Sequence, residues 1–273
     1  MFLCPICKKE LTRVDCSLKC ENNHSFDYAK SGYVNLLNPG KKNNAKAGDS
    51  KEMIRARTSF FECGAYEQIK NTLKELVSSL GGKVIVDAGC GEGYYSLEIA
   101  KSDKGSTVLG FDMSKFGCEH AAKAARAQGL DNAFFSVGNI FDLPLKNDFC
   151  DTVVSLFAPV ASEEFSRILK NNGHLIVVSA GIEHLDGLKS VLYNNVYQNE
   201  EKFLEFDSFT LNEVKNLKYK AVIEGNERIG ALFTMTPYYH RTSQADKEKL
   251  KNIQTLQTTV EVNFLIYQNK KQK

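Results

Sequence analysis

The sequence lacks any apolar stretch long enough to span a bilayer, and residues 1–5 lack the charged and then apolar run of a signal peptide. A membrane protein or a secreted protein is therefore not expected, and we expect a cytoplasmic location. A large charge of one sign is also lacking: the formal net charge is +2, which neither indicates nor excludes a nucleic-acid partner. A chain of 273 residues has room for one α/β domain and a small addition.

Cysteine is sparse over most of the chain but dense at its start. Four of the eight cysteines fall within the first twenty residues, and the others stand singly: Cys63, Cys90, Cys118 and Cys150. Clustered thiols in a chain without a secretory signal are metal ligands more often than disulfides. We expect the four single cysteines to be small buried residues. Residues 1–38, which contain too little apolar material for a core of their own, are therefore predicted to form a metal-binding module.

The spacing of the clustered cysteines is typical of zinc. Cys4-x2-Cys7, followed after twelve residues by Cys20-x3-His24, supplies three thiolates and one imidazole. Four protein ligands would close a tetrahedral site, so we expect one structural zinc ion per chain, whose binding energy replaces the missing core. Cys16 is an alternative fourth ligand, because Cys16-x3-Cys20 would complete a four-cysteine site. We favour His24, since Cys16 is expected to lie inside the second strand of the module.

The composition changes abruptly after the module. Residues 38–48 (NPGKKNNAKAG) are rich in Pro, Gly, Asn and Lys, which predicts a linker. The predicted organisation is a module at 1–38, a linker at 39–48 and a larger domain at 49–273.

The larger domain alternates between buried strands and helices. Apolar runs predict strands at 84–88, 107–111, 133–137, 152–157 and 174–179, with later strands at 219–223 and 258–267. Helical patterns occupy 50–62, 66–80, 94–100, 115–127, 162–169 and 183–195, and residues 170–173 read as a turn. This alternation predicts an α/β fold with a doubly wound, mostly parallel sheet covered on both faces.

A glycine-rich loop follows the first strand of this domain, with the sequence Asp87-Ala88-Gly89-Cys90-Gly91-Glu92-Gly93-Tyr94. Alternate glycines let the backbone approach a ligand at the carboxyl end of the strand. The nicotinamide pattern G-x-G-x-x-G would need a third glycine where Tyr94 stands. A strand that ends in Asp and continues as G-x-G-x-G resembles motif I of class I, Rossmann-like S-adenosylmethionine methyltransferases.

Two later segments agree with that resemblance. Asp112 ends the next strand, 19 residues beyond Gly93, where a carboxylate can accept both ribose hydroxyls. Asn139 follows a further strand, in the position where such folds hold the adenine. NAD binding would also place an acid near Asp112, so NAD stays an alternative. The predicted S-adenosylmethionine site in these segments comprises Asp87, Gly89, Gly91, Glu92, Gly93, Tyr94, Asp112, Met113 and Asn139.

A closer resemblance extends over most of the chain. It rests on the module, the glycine loop and six segments: FDxAKxGYVNLL (26–37), GDS (48–50), GxY (64–66), FAP (157–159), HL (184–185) and MTP (235–237). Through these features the chain resembles the 23S rRNA guanine-N1 methyltransferase family. The resemblance implies that a guanine in a hairpin of domain II of 23S rRNA, near the peptide exit tunnel, is methylated. It also implies that Tyr66 and His184 line the cofactor site.

Methylation at N1 sets requirements of its own. N1 lies on the Watson–Crick edge, so the guanine must be unpaired or flipped, and N1 must lose its proton. The sequence pattern does not predict which residue, if any, acts as the general base. Phe157 and Pro159 stand where related folds form the target-base pocket, although Phe157 at a strand end is equally consistent with a core residue. The lysines of the module and linker would contact the phosphates of the hairpin: Lys8, Lys9, Lys19, Lys41 and Lys42.

Two other functions are consistent with parts of the pattern. A small-molecule methyltransferase, acting on quinones or antibiotics, would share the glycine loop but would need no zinc module. A non-catalytic zinc RNA-binding protein would need no intact glycine loop. The sequence does not choose between neighbouring guanines of the hairpin, a choice that bears on macrolide susceptibility. The oligomeric state is open, with a homodimer as one alternative.

Overall fold

Two tight knuckles organise the N-terminal module. The computed structural model describes residues 2–40, 48–200, 203–239 and 241–271. In its first part, a three-stranded antiparallel sheet is formed by β1 (Thr12–Val14), β2 (Ser17–Lys19) and β3 (Ser25–Asp27). The knuckles are closed by hydrogen bonds from Cys4 N to Lys9 O (2.7 Å) and from Cys20 N to His24 O (3.1 Å). Each knuckle contains one pair of the predicted zinc ligands, Cys4 with Cys7 and Cys20 with His24.

A short fourth strand joins the module to the rest of the protein. β4 (Val34–Asn35) pairs in parallel with β7 (Ala133–Val137), so the module contributes an edge strand to the main sheet. Phe2 is 4% exposed and forms an edge-to-face contact with Phe111, with ring centroids 6.2 Å apart. Leu3 N donates to Pro144 O at 2.8 Å. The module is therefore docked on the larger domain through shared core and backbone hydrogen bonds.

Eight strands form the main sheet, in the order β10-β11-β9-β8-β5-β6-β7-β4. Besides β4 and β7, its strands are β5 (Val84–Ala88), β6 (Thr107–Asp112), β8 (Cys150–Leu156), β9 (Leu169–Ala180), β10 (Phe209–Glu224) and β11 (Thr255–Asn269). Only β11 pairs antiparallel with its two neighbours, β9 and β10. The predicted α/β fold with a mostly parallel sheet is confirmed.

Helices cover both faces of this sheet. They are α1 (Lys51–Phe61), α2 (Glu67–Leu80), α3 (Tyr94–Ser102), α4 (Lys115–Ala127), α5 (Ser162–Ile168), α6 (Asp186–Leu192), α7 (Asn226–Thr234) and α8 (Gln244–Glu248). Neighbouring residues of β5 enter different cores, Ile85 one cluster and Val86 the other, because side chains alternate along a strand. In the described part of the chain, no helix combines the length and the apolar character needed to cross a bilayer.

Several details of the prediction were wrong. Residues 170–173, predicted as a turn, belong to β9, in which Asn172 has a φ of 62° and the pairing with β8 shifts register. The strand predicted at 219–223 is the end of β10, which has sixteen residues. α7 and α8 were not predicted at all. Most of the linker predicted at 39–48 lies outside the described residues.

Candidate metal centre and active-site cavity

The four predicted zinc ligands converge at the base of the module. The ligand atoms of Cys4, Cys7, Cys20 and His24 all lie within 4.8 Å of one another. The Nδ1 atom of His24 is 3.4 Å from the Sγ atoms of both Cys4 and Cys20, and the Sγ atoms of Cys7 and Cys20 are 3.6 Å apart. Tetrahedral zinc with sulfur at about 2.3 Å and nitrogen at about 2.0 Å would place its ligands about 3.5–3.8 Å apart. The residues therefore fit a structural zinc ion.

Cys16, the alternative ligand, lies away from this centre. It is exposed and occupies the turn between β1 and β2, after Asp15 with its φ of 51°. The structure places His24, and not Cys16, beside the thiols of the other three ligands. The reason given for favouring His24 was wrong, because Cys16 lies in a turn and not inside a strand. What separates the two candidates is the second knuckle, which holds Cys20 and His24 together.

A cavity of about 1230 Å³ opens at the carboxyl edge of the parallel strands. This is where ligands bind in open α/β sheets, because the loops that follow adjacent strands diverge there. Nine of the eleven residues predicted to bind the cofactor line the cavity: Tyr66, Asp87, Gly89, Gly91, Glu92, Asp112, Met113, Asn139 and His184.

Asp87 brings a buried carboxyl group to the floor of the cavity. The side chain is 1% exposed, its Oδ2 accepts from the Ser96 hydroxyl, and its Oδ1 has no hydrogen-bond partner among the described residues. Burial raises the pKa of Asp87 to about 7, against the opposing effect of the Ser96 hydrogen bond. An unsatisfied buried acceptor of this kind suits a cationic group such as the amine of a methionyl chain.

The glycine loop is fixed by Asp112 and by close packing. Asp112 Oδ2 accepts from Gly91 N at 3.0 Å, and its Oδ1 accepts from Ser114 N at 2.6 Å. Each carboxylate oxygen retains a second lone pair, which a ribose hydroxyl can use. A Cβ on Gly89, whose φ is +91°, would meet the Cβ of Ala158 at 2.7 Å, so this position requires glycine.

Two predicted cofactor residues, Gly93 and Tyr94, do not line the cavity. A Cβ on Gly93 would meet the Cβ of Ala121 on α4 at 2.7 Å, so this glycine permits the helices to pack closely. The ring of Tyr94 stacks on Phe61, with centroids 4.1 Å apart and an interplanar angle of 8°. Their contacts are those of packing residues, and a direct contact with the cofactor remains a prediction for both.

Arg57 lines the cavity but was not among the predicted site residues. Its Nη2 lies 2.6 Å from Asp49 Oδ2, and its Nη1 lies 3.6 Å from Glu92 Oε2. The Arg57–Glu92 contact is an ion pair, but its distance is too long for a hydrogen bond. Glu92 Oε2, which is buried, therefore has no hydrogen-bond donor among the described residues. Burial raises the pKa of Glu92 to about 7, although Arg57 acts in the opposite direction. The guanidinium thus lies at the cavity wall between two acids.

Tyr66 and His184 lie against each other, although 118 residues separate them in the chain. Tyr66 Oη is 3.0 Å from His184 Nε2, and Glu261 N donates to His184 Nδ1 at 3.2 Å. Burial lowers the pKa of His184 to about 4, with Lys189 adding to the effect, so the ring is neutral at pH 7. Since Nδ1 accepts a hydrogen bond, Nε2 carries the proton of the neutral ring and donates a hydrogen bond to Tyr66 Oη. The Tyr66 hydroxyl proton is consequently available to an acceptor in the cavity.

Phe157 lies next to this pair at the end of β8. It has a φ of 51°, unusual for a bulky residue, and is 47% exposed at the cavity. Its ring lies 5.8 Å from the His184 ring at an interplanar angle of 29°. The exposed ring argues against a core role and leaves one face of Phe157 available to a planar ligand.

Together, the strand order, the glycine loop and the buried carboxyl groups define a class I S-adenosylmethionine-dependent methyltransferase with a zinc-binding module. A family model described as "Methyltransferase domain" matches residues 80–258, and one described as "RlmA, N-terminal" matches residues 2–46. The solved structure of BH2331 from Bacillus halodurans C-125 has a similar fold. Its TM-score is 0.50 and its identity 13%, and the match covers 73% of this chain and 98% of that chain.

Two curated relatives identify the family more narrowly. A protein of Bacillus subtilis (strain 168), provisionally named 23S rRNA (guanine-N(1)-)-methyltransferase YxjB, is 30% identical over 97% of this chain and 96% of its own length. The 23S rRNA (guanine(748)-N(1))-methyltransferase of Streptomyces fradiae is 32% identical over 69% of this chain and 66% of its own length. The chain belongs to the 23S rRNA (guanine-N1)-methyltransferase family.

Proposed function

We propose that this protein transfers a methyl group from S-adenosylmethionine to N1 of a guanine in a domain II hairpin of 23S rRNA. The observation that carries the proposal is the combination of a zinc module with a cofactor cavity in one docked unit, in a chain similar to the Bacillus subtilis relative over 97% of its length. A small-molecule methyltransferase would need only the cavity. We retain the predicted boundaries of 1–38, 39–48 and 49–273 as part of this proposal.

The described residues divide the binding of the cofactor among them. Asp87 would accept a hydrogen bond from the methionyl amine, and Asp112 would accept hydrogen bonds from the ribose hydroxyls. Asn139, which lines the cavity, would contact the adenine. Bound S-adenosylmethionine supplies an electrophilic methyl group on its sulfonium. Tyr66, with a hydroxyl proton to donate, would orient an acceptor on the ligands beside it.

The same cavity has room for the target base. Its volume of about 1230 Å³ exceeds the roughly 300–1,000 Å³ typical of a site for one small ligand. Phe157 and Pro159 both line it, and the half-exposed ring of Phe157 offers a stacking face for a flipped guanine. The main contribution of these residues to the rate would be alignment of N1 with the methyl group.

A cytoplasmic location and an RNA partner follow from the proposed reaction, because ribosomal RNA is modified in that compartment. The RNA contacts predicted for the lysines of the module and the linker stay a prediction, and Lys19 is exposed on β2. Lys8 forms an ion pair with Asp142 and Lys9 with Glu21, while Lys41 and Lys42 lie outside the described residues. A homodimer stays an alternative to a monomer, which light scattering of the purified protein would decide.

Methyl transfer from radiolabelled S-adenosylmethionine tests the function. We expect label in a domain II transcript, and a reverse-transcription stop at one guanine of 23S rRNA that disappears in a deletion strain. Asp112→Ala should lose the activity, whereas Asp131→Ala, which removes an exposed acid, should keep it. Label in a metabolite extract but not in rRNA would contradict the proposal.

A further inference from the structure

A second groove, of about 540 Å³, lies outside the active-site cavity at the junction of the module with α4. One wall is the turn at residues 29–33, which belongs to the module, and the other is a face of α4. Among the described residues, four cations and a single acid line it: Lys30, Lys115, Lys123, Arg126 and Glu119. The groove therefore carries an excess of three positive charges in a protein whose formal net charge is only +2.

Most of this charge is uncompensated. Lys123 forms an ion pair with Glu119 at 2.7 Å, but neither Lys30 nor Lys115 pairs with an acid among the described residues. The pKa of Glu119 is lowered, first by the hydrogen bond from Lys123 and further by Lys115 and Lys51. Glu119 is thus surrounded by cations, and the groove is an electropositive strip.

The first turn of α4 adds to the positive potential. It contains Lys115 and no acid, although a helix N-terminus already has a partial positive charge. A basic residue there opposes helix stability only slightly and adds its own charge to that of the helix end. From Lys115 to Arg126 the helix rises about 16 Å, which gives the strip the length of several nucleotides.

The groove is complete only when the module is docked, because one of its two walls belongs to the module. Arg126 Nη1 donates to the backbone oxygen of Lys30 at 2.6 Å, so the guanidinium is held in place without losing its charge to an acid. Tyr33, in the same turn, is buried in the main core cluster. Zinc, which holds the module folded, would therefore also maintain this surface.

The strip begins close to the active site. Met113 lines the cavity, and Lys115, two residues later, lines the groove. Ser114, between them, caps α4 and donates through its hydroxyl to Asp49 O at 2.7 Å, which fixes the path between the two sites. A single RNA strand can therefore contact the groove through its phosphates while one of its bases enters the cavity.

We propose that this groove, formed jointly by residues 29–33 of the module and by α4, binds the phosphate backbone of the RNA substrate. The inference rests on the proposed function for the identity of the RNA. It assigns the RNA contact to the seam between module and catalytic domain, rather than to the lysines of the knuckles. Phosphate contacts of this kind position the RNA and carry no sequence information.

The test compares two double variants in binding to a domain II transcript of 23S rRNA across salt concentrations. Lys30→Gln/Lys115→Gln removes two groove cations without breaking an ion pair. Lys104→Gln/Lys215→Gln is the matched control, because both of its lysines are exposed, form no ion pair with described residues and lie elsewhere, on the turn before β6 and on β10. The groove variant should bind about tenfold or more weakly at 0.1 M salt and lower the log–log salt slope by about 1.4–1.8. The control should match the wild type in both.

A third variant reverses the sign of the effect. Glu119→Gln removes the one acid that lines the groove among the described residues. It should therefore tighten RNA binding and steepen the salt slope, a result that loss of folding cannot produce. Cofactor affinity should be unchanged in all three variants. The groove proposal alone would be overturned if the groove variant and the control had equal RNA affinities and equal salt slopes while the wild type methylated the transcript. Failure of the wild type to methylate the transcript would overturn the proposed function and this inference with it.

Discussion

Asp87→Asn should stabilise the folded protein while weakening its binding of S-adenosylmethionine. The pKa of Asp87 is raised by burial from 3.8 to about 7, so between these values the folded state binds more protons than the unfolded state. The free energy of unfolding of the wild type therefore falls as pH rises through this window and levels off above it. An uncharged amide removes this penalty.

The size of the effect follows from the shift. About three pKa units correspond to about 4 kcal/mol when the carboxyl group is fully ionised, near pH 8, and to about 2 kcal/mol at pH 5. The advantage of Asp87→Asn over the wild type should therefore grow by about 2–3 kcal/mol between pH 5 and pH 8. Glu92, whose pKa is also raised to about 7, contributes the same trend to both proteins and cancels in the comparison.

Urea denaturation followed by circular dichroism at several pH values measures this difference, since the chain has no tryptophan for fluorescence. Asp131→Asn, at an exposed acid, is the control and should show no pH-dependent gain. Calorimetry should show weaker cofactor binding by Asp87→Asn, because the amine loses its anionic partner. A variant less stable than the wild type at pH 8, with a difference that does not change with pH, would refute the reasoning.

Three further predictions concern the zinc, the cofactor and the docking of the module. Cys20→Ser should lose about one zinc per chain by metal analysis, while Cys16→Ser keeps it; the reverse result would contradict the ligand assignment. Asp112→Ala should weaken cofactor binding about 10–100-fold by calorimetry, and unchanged affinity would remove its ribose role. Phe2→Ala should lower the free energy of unfolding by about 3–5 kcal/mol in one cooperative transition, whereas two separate transitions would argue against a shared core.

The site residues that were predicted from the pattern of the sequence itself lie close together along the chain. The zinc ligands lie within about twenty residues, and the turn of each knuckle determines which side chains converge. The glycine loop is a contiguous segment between β5 and α3, so its position at the strand end follows from the apolar run before it. In both cases residues that are close along the chain are also close in space, so the sequence pattern is enough to predict that they lie together.

The remaining parts depend on contacts between distant segments. The role of Arg57 was missed, and Tyr66 and His184 were predicted only through the family resemblance, because packing of α1 and the segment before α2 against later loops creates these contacts and no periodicity reveals them. β4 has two residues, too few for a pattern of alternation. Most of β10 has little buried surface, because it lies at the edge of the sheet, so its sequence lacks the apolar run of a central strand.

The pairing of β4 with β7 determines the order in which the protein can be completed during its synthesis. All four zinc ligands have been made by residue 24, but the partner strand of β4 follows roughly one hundred residues later. The nascent module can therefore bind zinc and fold locally before β7, the strand on which it docks, has been synthesised. A chain starved of zinc would reach that point without a folded module, and the unpaired edge of β7 would be open to association with other chains.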